Sequence, residues 1–194
     1  MVFEVVLIMA EKALTEAVGL FEEKMAQGRY KEAAKIREDH SLPLDMLRDA
    51  VTKEYSRVLG LGEYSLAADL AKEYSLSEKL IRDAASRSFQ RKVDGEHYKA
   101  AAEYAKKFGL PPEMIREAAV QAFEKSMDYG LAKNAAEIAV SFELPDDMRI
   151  KAAEKAYSKF MDSGLYHKAL KTAQQYELPE ELVREAETKA KGRR

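Results

Sequence analysis

The residues most suited to acid–base or metal chemistry near neutral pH are three histidines, His40, His97 and His167. The chain of 194 residues contains no cysteine, which excludes thiol catalysis, disulfides and cysteine-type zinc sites. No two of the histidines have the spacing of a metal-ligand pair, and no G-x-G-x-x-G, P-loop, H-E-x-x-H or G-x-S-x-G motif occurs. We therefore predict that the protein is not an enzyme and that it binds neither a metal nor a cofactor.

Acidic residues recur in a repeated tetrapeptide. The segments "LRDA", "IRDA", "IREA" and "VREA" start at Leu47, Ile81, Ile115 and Val183. Asp49 with Lys53 and Asp83 with Arg87 are i,i+4 pairs, which stabilise a helix by only a few tenths of a kcal/mol. These carboxylates could form a charged ladder that faces a partner or an ordinary solvated helix surface. We favour the solvated surface, because exposed ion pairs are common and weak.

The recurrence reflects an internal repeat of 34 residues without insertion or deletion. Two columns are invariant: Ala33, Ala67, Ala101, Ala135 and Ala169, and Leu42, Leu76, Leu110, Leu144 and Leu178. Two more are aromatic except at His40: Phe21, Tyr55, Phe89, Phe123 and Tyr157, and His40, Tyr74, Phe108, Phe142 and Tyr176. We expect these columns to form the core, with His40 packed inside it and the other two histidines exposed in turns.

Each repeat is predicted to consist of two helices. Apolar residues of the first helix follow a 3.6-residue period, and Pro43, Pro111 and Pro145 stand near helix starts, where a missing N–H costs nothing. Glycines then end the first helix, and a second, shorter helix runs to the next "SLP" or "ELP". No alternating strand pattern occurs in the repeats. The predicted fold is all-α: a right-handed α-α superhelix of about five 34-residue helix hairpins.

The chain is predicted to form a single solenoid domain over residues 1–194, in three parts. Residues 1–27 form an apolar helical segment, residues 28–178 contain the repeats, and residues 179–194 form a capping helix and a basic tail. In the last helix, Glu187 and Lys191 replace the apolar residues of earlier repeats, as expected of a polar terminal unit.

The N-terminal stretch "VFEVVLIM" from Val2 to Met9 is the most apolar part of the chain. If it is helical, the face with Val6 and Met9 continues towards Ala13, Ala17 and Phe21, and it should pack on the first repeat. Three further residues then point elsewhere: Val5, Leu7 and Ile8. The segment could fold back over the ends of the repeats or bury against a second subunit. We favour self-association as a homodimer through these three residues.

A helix pair that repeats every 34 residues resembles the tetratricopeptide repeat. The segment "GRYKEA" from Gly28 has the G-x-Y-x-x-A step of that family, and the segments from Gly62 and Gly164 repeat it. The first helix departs from the family pattern W-x-x-L-G-x-x-Y. In the last repeat, these four positions are Ala153, Ala156, Tyr157 and Phe160. The chain is therefore TPR-like and divergent.

The resemblance implies a function in protein binding. In that family, the first helices line a groove that holds a peptide or partner protein, and the chain would act as a noncatalytic scaffold or adaptor. Mapped onto this sequence, the groove residues are Asp94, Asp128, Asp162, Ser56, Gln90 and Glu124. This neutral-to-acidic set suits a basic or neutral segment better than a carboxylate.

Two other functions remain open: an RNA-binding helical repeat and an accessory subunit of an enzyme complex. An RNA groove must be basic to neutralise phosphates, whereas this chain has a net charge of −2 and a single basic cluster, "KAKGRR" at its C-terminus. We therefore do not expect nucleic acid to be the partner. The longest apolar run is too short to span a membrane, and the lack of cysteine is compatible with a cytoplasmic location.

Overall fold

A computed structural model describes the backbone of residues 2–192 and the side chains of residue 6 and residues 8–192. This part of the chain contains eleven α-helices and no strand, which confirms the predicted all-α class. The helices are α1 (Val2–Ala26), α2 (Tyr30–Asp39), α3 (Leu44–Gly60), α4 (Tyr64–Glu73), α5 (Glu78–Asp94), α6 (Tyr98–Phe108), α7 (Pro112–Asp128), α8 (Ala132–Ser141), α9 (Asp146–Asp162), α10 (Tyr166–Gln175) and α11 (Glu180–Lys191).

Long and short helices alternate as the repeat predicts. The first helices α3, α5, α7 and α9 each have 17 residues, and the second helices have 10 or 11. The chain forms two compact units, residues 1–88 and residues 89–194, with the boundary inside α5. In unit 1, helices α1 to α4 pack on one another in chain order. In unit 2, helices α6 to α11 do the same.

The first helices begin where the prolines predict. Pro43, Pro111, Pro145 and Pro179 are N-cap residues with φ between −48° and −51°. The ring imposes this φ, and the missing N–H would be unpaired at a helix start in any case. An acidic side chain in the first turn, such as Glu113 in α7, then faces the positive end of the helix dipole.

The first helices end in a left-handed residue, as predicted. Gly28, Gly62, Gly130 and Gly164 have φ between +67° and +76°. The fifth position of this column is Glu96, which adopts φ +57° because its neighbouring glycine stands one residue too early. Hence the repeat requires the backbone conformation at every copy, even where the sequence does not supply a glycine.

A second left-handed column separates successive repeats, and the sequence did not reveal it. It consists of Ser41, Ser75, Gly109, Glu143 and Glu177, with φ between +50° and +61°. Only one of the five is glycine, the residue that adopts this conformation without steric cost. The turn is closed by backbone bonds such as that from the N–H of Leu144 to the carbonyl of Ala139, 2.9 Å.

The two invariant columns and the aromatic column of the first helices form the core. The second aromatic column is only partly buried, since Phe108 and Tyr176 are buried but Tyr74 and Phe142 are half-buried. All five alanines of the invariant column are completely buried, and all five leucines are buried. The aromatic residues of the first helices are buried too, from Tyr55 at 2% exposed to Phe89 at 7%. Small side chains thus lie at close helix crossings, and the aromatic rings fill the wider spaces beside them.

The prediction that His40 packs in the core is wrong, since its side chain is exposed. The equivalent Tyr74 lies close enough to Glu38 of α2 for that carboxylate to raise its pKa, although burial is the larger cause. Similarly, burial and then Glu137 of α8 raise the pKa of Tyr176. Both tyrosines therefore lie near the preceding second helix, whereas α2 follows α1 (Val2–Ala26) and has no second helix before it.

The side chains described in the N-terminal half of α1, at position 6 and from position 8 onwards, do not pack on the first repeat as predicted. Val6, Ile8 and Met9 are 60%, 63% and 68% exposed, and Ala13 is exposed as well. Burial begins only at Ala17 and continues at Phe21, the residue that starts the aromatic column. The side chains of the other two predicted self-association residues, at positions 5 and 7, lie outside those described. At the other end of the chain, Glu187 and Lys191 are 42% and 81% exposed.

Candidate partner-binding groove

The first helices of unit 2 lie side by side. The Tyr157 hydroxyl of α9 donates a hydrogen bond to the carbonyl of Leu182 in α11, 2.9 Å away. This contact fixes neighbouring first helices against each other without an intervening second helix. We call the surface between α7, α9 and α11 the unit 2 groove.

Two cavities lie along the unit 2 groove, between successive first helices. Cavity A, between α7 and α9, has a volume of about 300 Å³ and is lined by Phe123, Glu124, Met127, Asp128, Met148 and Lys151, among others. Cavity B, between α9 and α11, has a volume of about 510 Å³ and is lined by Tyr157, Ser158, Met161, Asp162, Leu182 and Glu185, among others. Each residue of the second set stands 34 positions after its counterpart in the first. The two cavities therefore occupy equivalent positions in successive repeats, although Ser158 replaces Glu124 and Glu185 replaces Lys151.

Both cavities combine an apolar floor with an acidic rim. Met127 and Met148 are half-buried in cavity A, and Met161 and Leu182 are half-buried in cavity B. The rim of cavity A carries Glu124, Asp128 and Asp147, and that of cavity B carries Glu154, Asp162 and Glu185. Each cavity also has one lysine, at position 151 or 189. Carboxylates thus outnumber cations by three to one at each.

The carboxylate of Glu185 is held in its charged form. Lys189 donates a hydrogen bond to it at 2.9 Å, and the Tyr157 hydroxyl lies 3.1 Å away. The hydrogen bond from Lys189 is the larger cause that lowers the pKa of Glu185, and the one from Tyr157 is the second. Burial, followed by the Glu185 hydrogen bond and charge, raises the pKa of Tyr157 to about 12. At neutral pH the carboxylate is therefore ionised and the phenol is protonated.

Unit 1 has the same framework with a different surface. The Tyr55 hydroxyl donates to the carbonyl of Leu80 at 3.0 Å, and Arg87 donates to Asp83 at 3.3 Å, in the positions of Tyr157, Leu182, Lys189 and Glu185. However, the positions of Glu124, Asp128 and Asp147 are occupied by Ser56, Gly60 and Lys79. The acidic rim is therefore a property of unit 2.

The six predicted groove residues lie in different parts of the structure. Glu124, Asp128 and Asp162 line the two cavities. Gln90 and Asp94 are exposed on the last turns of α5, where the Gln90 amide donates to the Asp94 carboxylate at 2.8 Å. Ser56 is exposed in unit 1 and donates to the Thr52 carbonyl at 2.9 Å.

The sequence analysis missed the floor of the groove, which Met127, Met148 and Met161 supply, and the rim residues Asp147 and Glu185. The sequence contains one sign of this floor, since Met25, Met127 and Met161 occupy the same repeat position. That sign is weaker than the core columns, because half-buried positions vary more between repeats.

A third cavity, of about 470 Å³, lies on the second-helix side of unit 2, between α6, α7 and α8. Lys125 donates there to the Glu96 carboxylate at 2.8 Å and to its carbonyl at 3.1 Å, which raises the pKa of Lys125 and lowers that of Glu96. Lys99 pairs with Glu103 at 3.9 Å. These charges compensate each other, whereas the rims of cavities A and B carry an excess of carboxylates.

Together these features define the class of protein: an all-α chain of 34-residue helix pairs with a groove between its first helices. Beyond this class, comparison with models of protein families, with curated proteins and with solved structures gives no match. Within the described residues, no group of three or more histidine, aspartate or glutamate side chains is arranged to hold a metal ion. None of the helices described over residues 2–192 has the length and apolar character needed to cross a membrane.

Proposed function

We propose that this chain is a noncatalytic, TPR-like interaction module that binds a segment of a partner protein in the unit 2 groove. The observation that carries the proposal is the repetition of one cavity in cavities A and B, each with half-buried methionine in its floor. Methionine side chains are flexible and polarisable, and they suit surfaces that accept varied apolar groups. A row of such cavities matches a ligand that is itself a chain.

A polypeptide is a better occupant than RNA. A nucleic-acid groove gains affinity by neutralising phosphates, and the carboxylates of Glu124, Asp128 and Asp162 would repel them instead. At the C-terminus, Lys189 is bound to Glu185 and therefore offers little charge to a phosphate.

Selection from a display library of random peptides tests the proposal. The full chain is compared with a groove variant, Asp128→Lys with Asp162→Lys, and with a matched control, Glu103→Lys with Glu137→Lys. Both control residues lie on second helices of unit 2, 34 positions apart, with side chains 60% and 45% exposed. The net charge change is therefore the same. We expect peptides that bind the wild type and the control but not the groove variant.

Two results would contradict the proposal. One is a library that yields no peptide above background. The other is a set of peptides bound equally by the groove variant, combined with binding of random single-stranded RNA that nuclease abolishes.

We also propose that the exposed apolar half of α1 mediates self-association. Val6, Ile8, Met9 and Leu14 are all more than half exposed on one helix, and an apolar surface of this kind is normally covered. Light scattering at micromolar concentration should show a dimer for the wild type and a monomer for Ile8→Glu with Met9→Glu. A monomeric wild type would refute this proposal without affecting the groove.

A further inference from the structure

The dimensions and chemistry of cavities A and B also restrict the kind of segment that the groove can hold. This step rests on the proposed function, since it concerns the occupant of the same groove. We infer that the occupant is an extended segment with lysine or arginine at every third residue, one side chain in each cavity.

The first reason is the layered chemistry of each cavity. A lysine or arginine side chain has an apolar stem and a charged tip, and such residues lay the stem on apolar surface while the tip reaches polar groups. The floor of cavity A offers Met127 and Met148 to the stem, and its rim offers Glu124 and Asp128 to the tip. A purely apolar side chain would leave the rim carboxylates desolvated and without a partner.

The second reason is the negative charge of rim carboxylates that are not paired with a cation of the chain. Neither Glu124 nor Asp128 forms an ion pair with another described residue of the chain. In cavity B, Glu185 is bound to Lys189, which leaves Glu154 and Asp162 at the rim. Cavity A therefore retains three carboxylates beside Lys151, and cavity B retains two, which provides charge complementarity with a basic segment and excludes an acidic one.

The third reason is the spacing of the cavities. Cavities A and B are one repeat apart, so they are separated by the spacing of successive first helices, about one helix width of 10–12 Å. A polyproline II segment advances about 3.1 Å per residue and has three residues per turn. Residues i and i+3 of such a segment are thus about 9 Å apart and point to the same side. Cavities of about 300 and 510 Å³ hold side chains, whereas a helix is about 10–12 Å wide.

The test uses synthetic peptides and the full chain. The probe is Lys-Pro-Ala repeated four times, with a fluorescent label, and binding is measured by anisotropy. One control has the same composition with all lysines together at one end, and another has glutamate in place of lysine. We expect the period-three peptide to bind about tenfold more tightly than its clustered isomer, the glutamate peptide not to bind, and affinity to fall as salt is added.

The protein variants locate the effect. Asp128→Lys with Asp162→Lys should weaken binding of the period-three peptide by about tenfold or more. The matched control, Glu103→Lys with Glu137→Lys, should leave it unchanged. Circular dichroism of both variants verifies that they are folded.

The inference is overturned if the clustered isomer binds as tightly as the period-three peptide, or if the groove variant binds both as the wild type does. If library peptides without periodic basic residues compete for the groove while the lysine peptide does not bind, the inference is wrong and the proposed function stands. If no peptide of any composition binds, both fail.

Discussion

The helix pair α3 and α5 in unit 1 and the helix pair α9 and α11 in unit 2 are built alike and present different surfaces. In each, a buried tyrosine on one first helix donates to a backbone carbonyl of the next, at 3.0 Å from Tyr55 and 2.9 Å from Tyr157. A carboxylate lies beside each hydroxyl and pairs with a cation four residues further on.

The surfaces of the two units differ where nothing in the framework requires a particular residue. Ser56, Gly60 and Lys79 of unit 1 occupy the positions of three carboxylates in unit 2. Core columns are constrained by packing in every repeat, whereas a groove position contacts only solvent or a ligand. Binding specificity can therefore change between repeats without a change in the fold.

Removal of a buried tyrosine ring should have the largest effect on stability, and the loss of stability should be equal in the two units. Tyr55→Ala and Tyr157→Ala should each lower the free energy of unfolding by about 3–5 kcal/mol, because both rings are almost completely buried. Urea denaturation measures this. If one substitution costs less than about 1 kcal/mol, the two helix pairs do not share a framework.

The turns provide the next test of equivalence. Gly28→Ala in unit 1 and Gly130→Ala in unit 2 should each cost about 1–2 kcal/mol, since both have positive φ and the space around each would accept a methyl group. The cost is then conformational alone.

Conversely, Glu143→Gly should stabilise the fold by about 0.5 kcal/mol. Glycine removes the backbone strain at φ +51°, and this gain exceeds the entropic cost of a more flexible unfolded chain. A loss of thermal stability in Glu143→Gly would contradict this.

The acidic rim of unit 2 can be transferred to unit 1. Ser56→Glu, Gly60→Asp and Lys79→Asp together give unit 1 the rim of cavity A, above the half-buried Leu59 and Leu80. We expect the period-three lysine peptide to bind this variant at one additional site that is about tenfold weaker than the original site, a difference of about 1.4 kcal/mol, because one cavity holds one lysine whereas cavities A and B hold two. Calorimetric stoichiometry reports the added site. An unchanged stoichiometry would show that the rim charges are insufficient.

The smallest effect concerns the tyrosine hydroxyls. Tyr55→Phe and Tyr157→Phe should each cost about 0.5–1.5 kcal/mol at neutral pH, through the lost hydrogen bond. The pKa of Tyr157 is raised from 10.0 to about 12, so the folded state holds this proton more tightly than the unfolded state. Its contribution is complete below pH 10 and is lost as the pH rises towards 12.

The free energy of unfolding should therefore fall more steeply between pH 10 and 12 in the wild type than in Tyr157→Phe. Denaturation at several pH values in this range measures the difference. Parallel curves for the two proteins would show that Tyr157 does not contribute to it.

Much of the fold could be predicted from the sequence because the repeat determines it locally. Helix starts follow from Pro43 and its equivalents, which impose φ and lack a donor. The glycine turns follow from Gly28 and its equivalents, and the core follows from columns that recur at helical spacing. The left-handed turn at Ser41 and Glu143 escaped prediction because serine and glutamate do not signal this conformation.

The sequence by itself determined the period, the helix pairs and the residues of the core, since these depend on backbone preferences and on the burial of apolar side chains within each repeat. Only the tertiary structure decided that His40 is exposed and that Val6, Ile8 and Met9 of α1 are uncovered, because burial depends on which helix lies against a residue. The same holds for the groove. Glu124 and Met148 lie 24 residues apart in sequence and line one cavity, because α7 and α9 are brought together by packing that neither helix encodes alone.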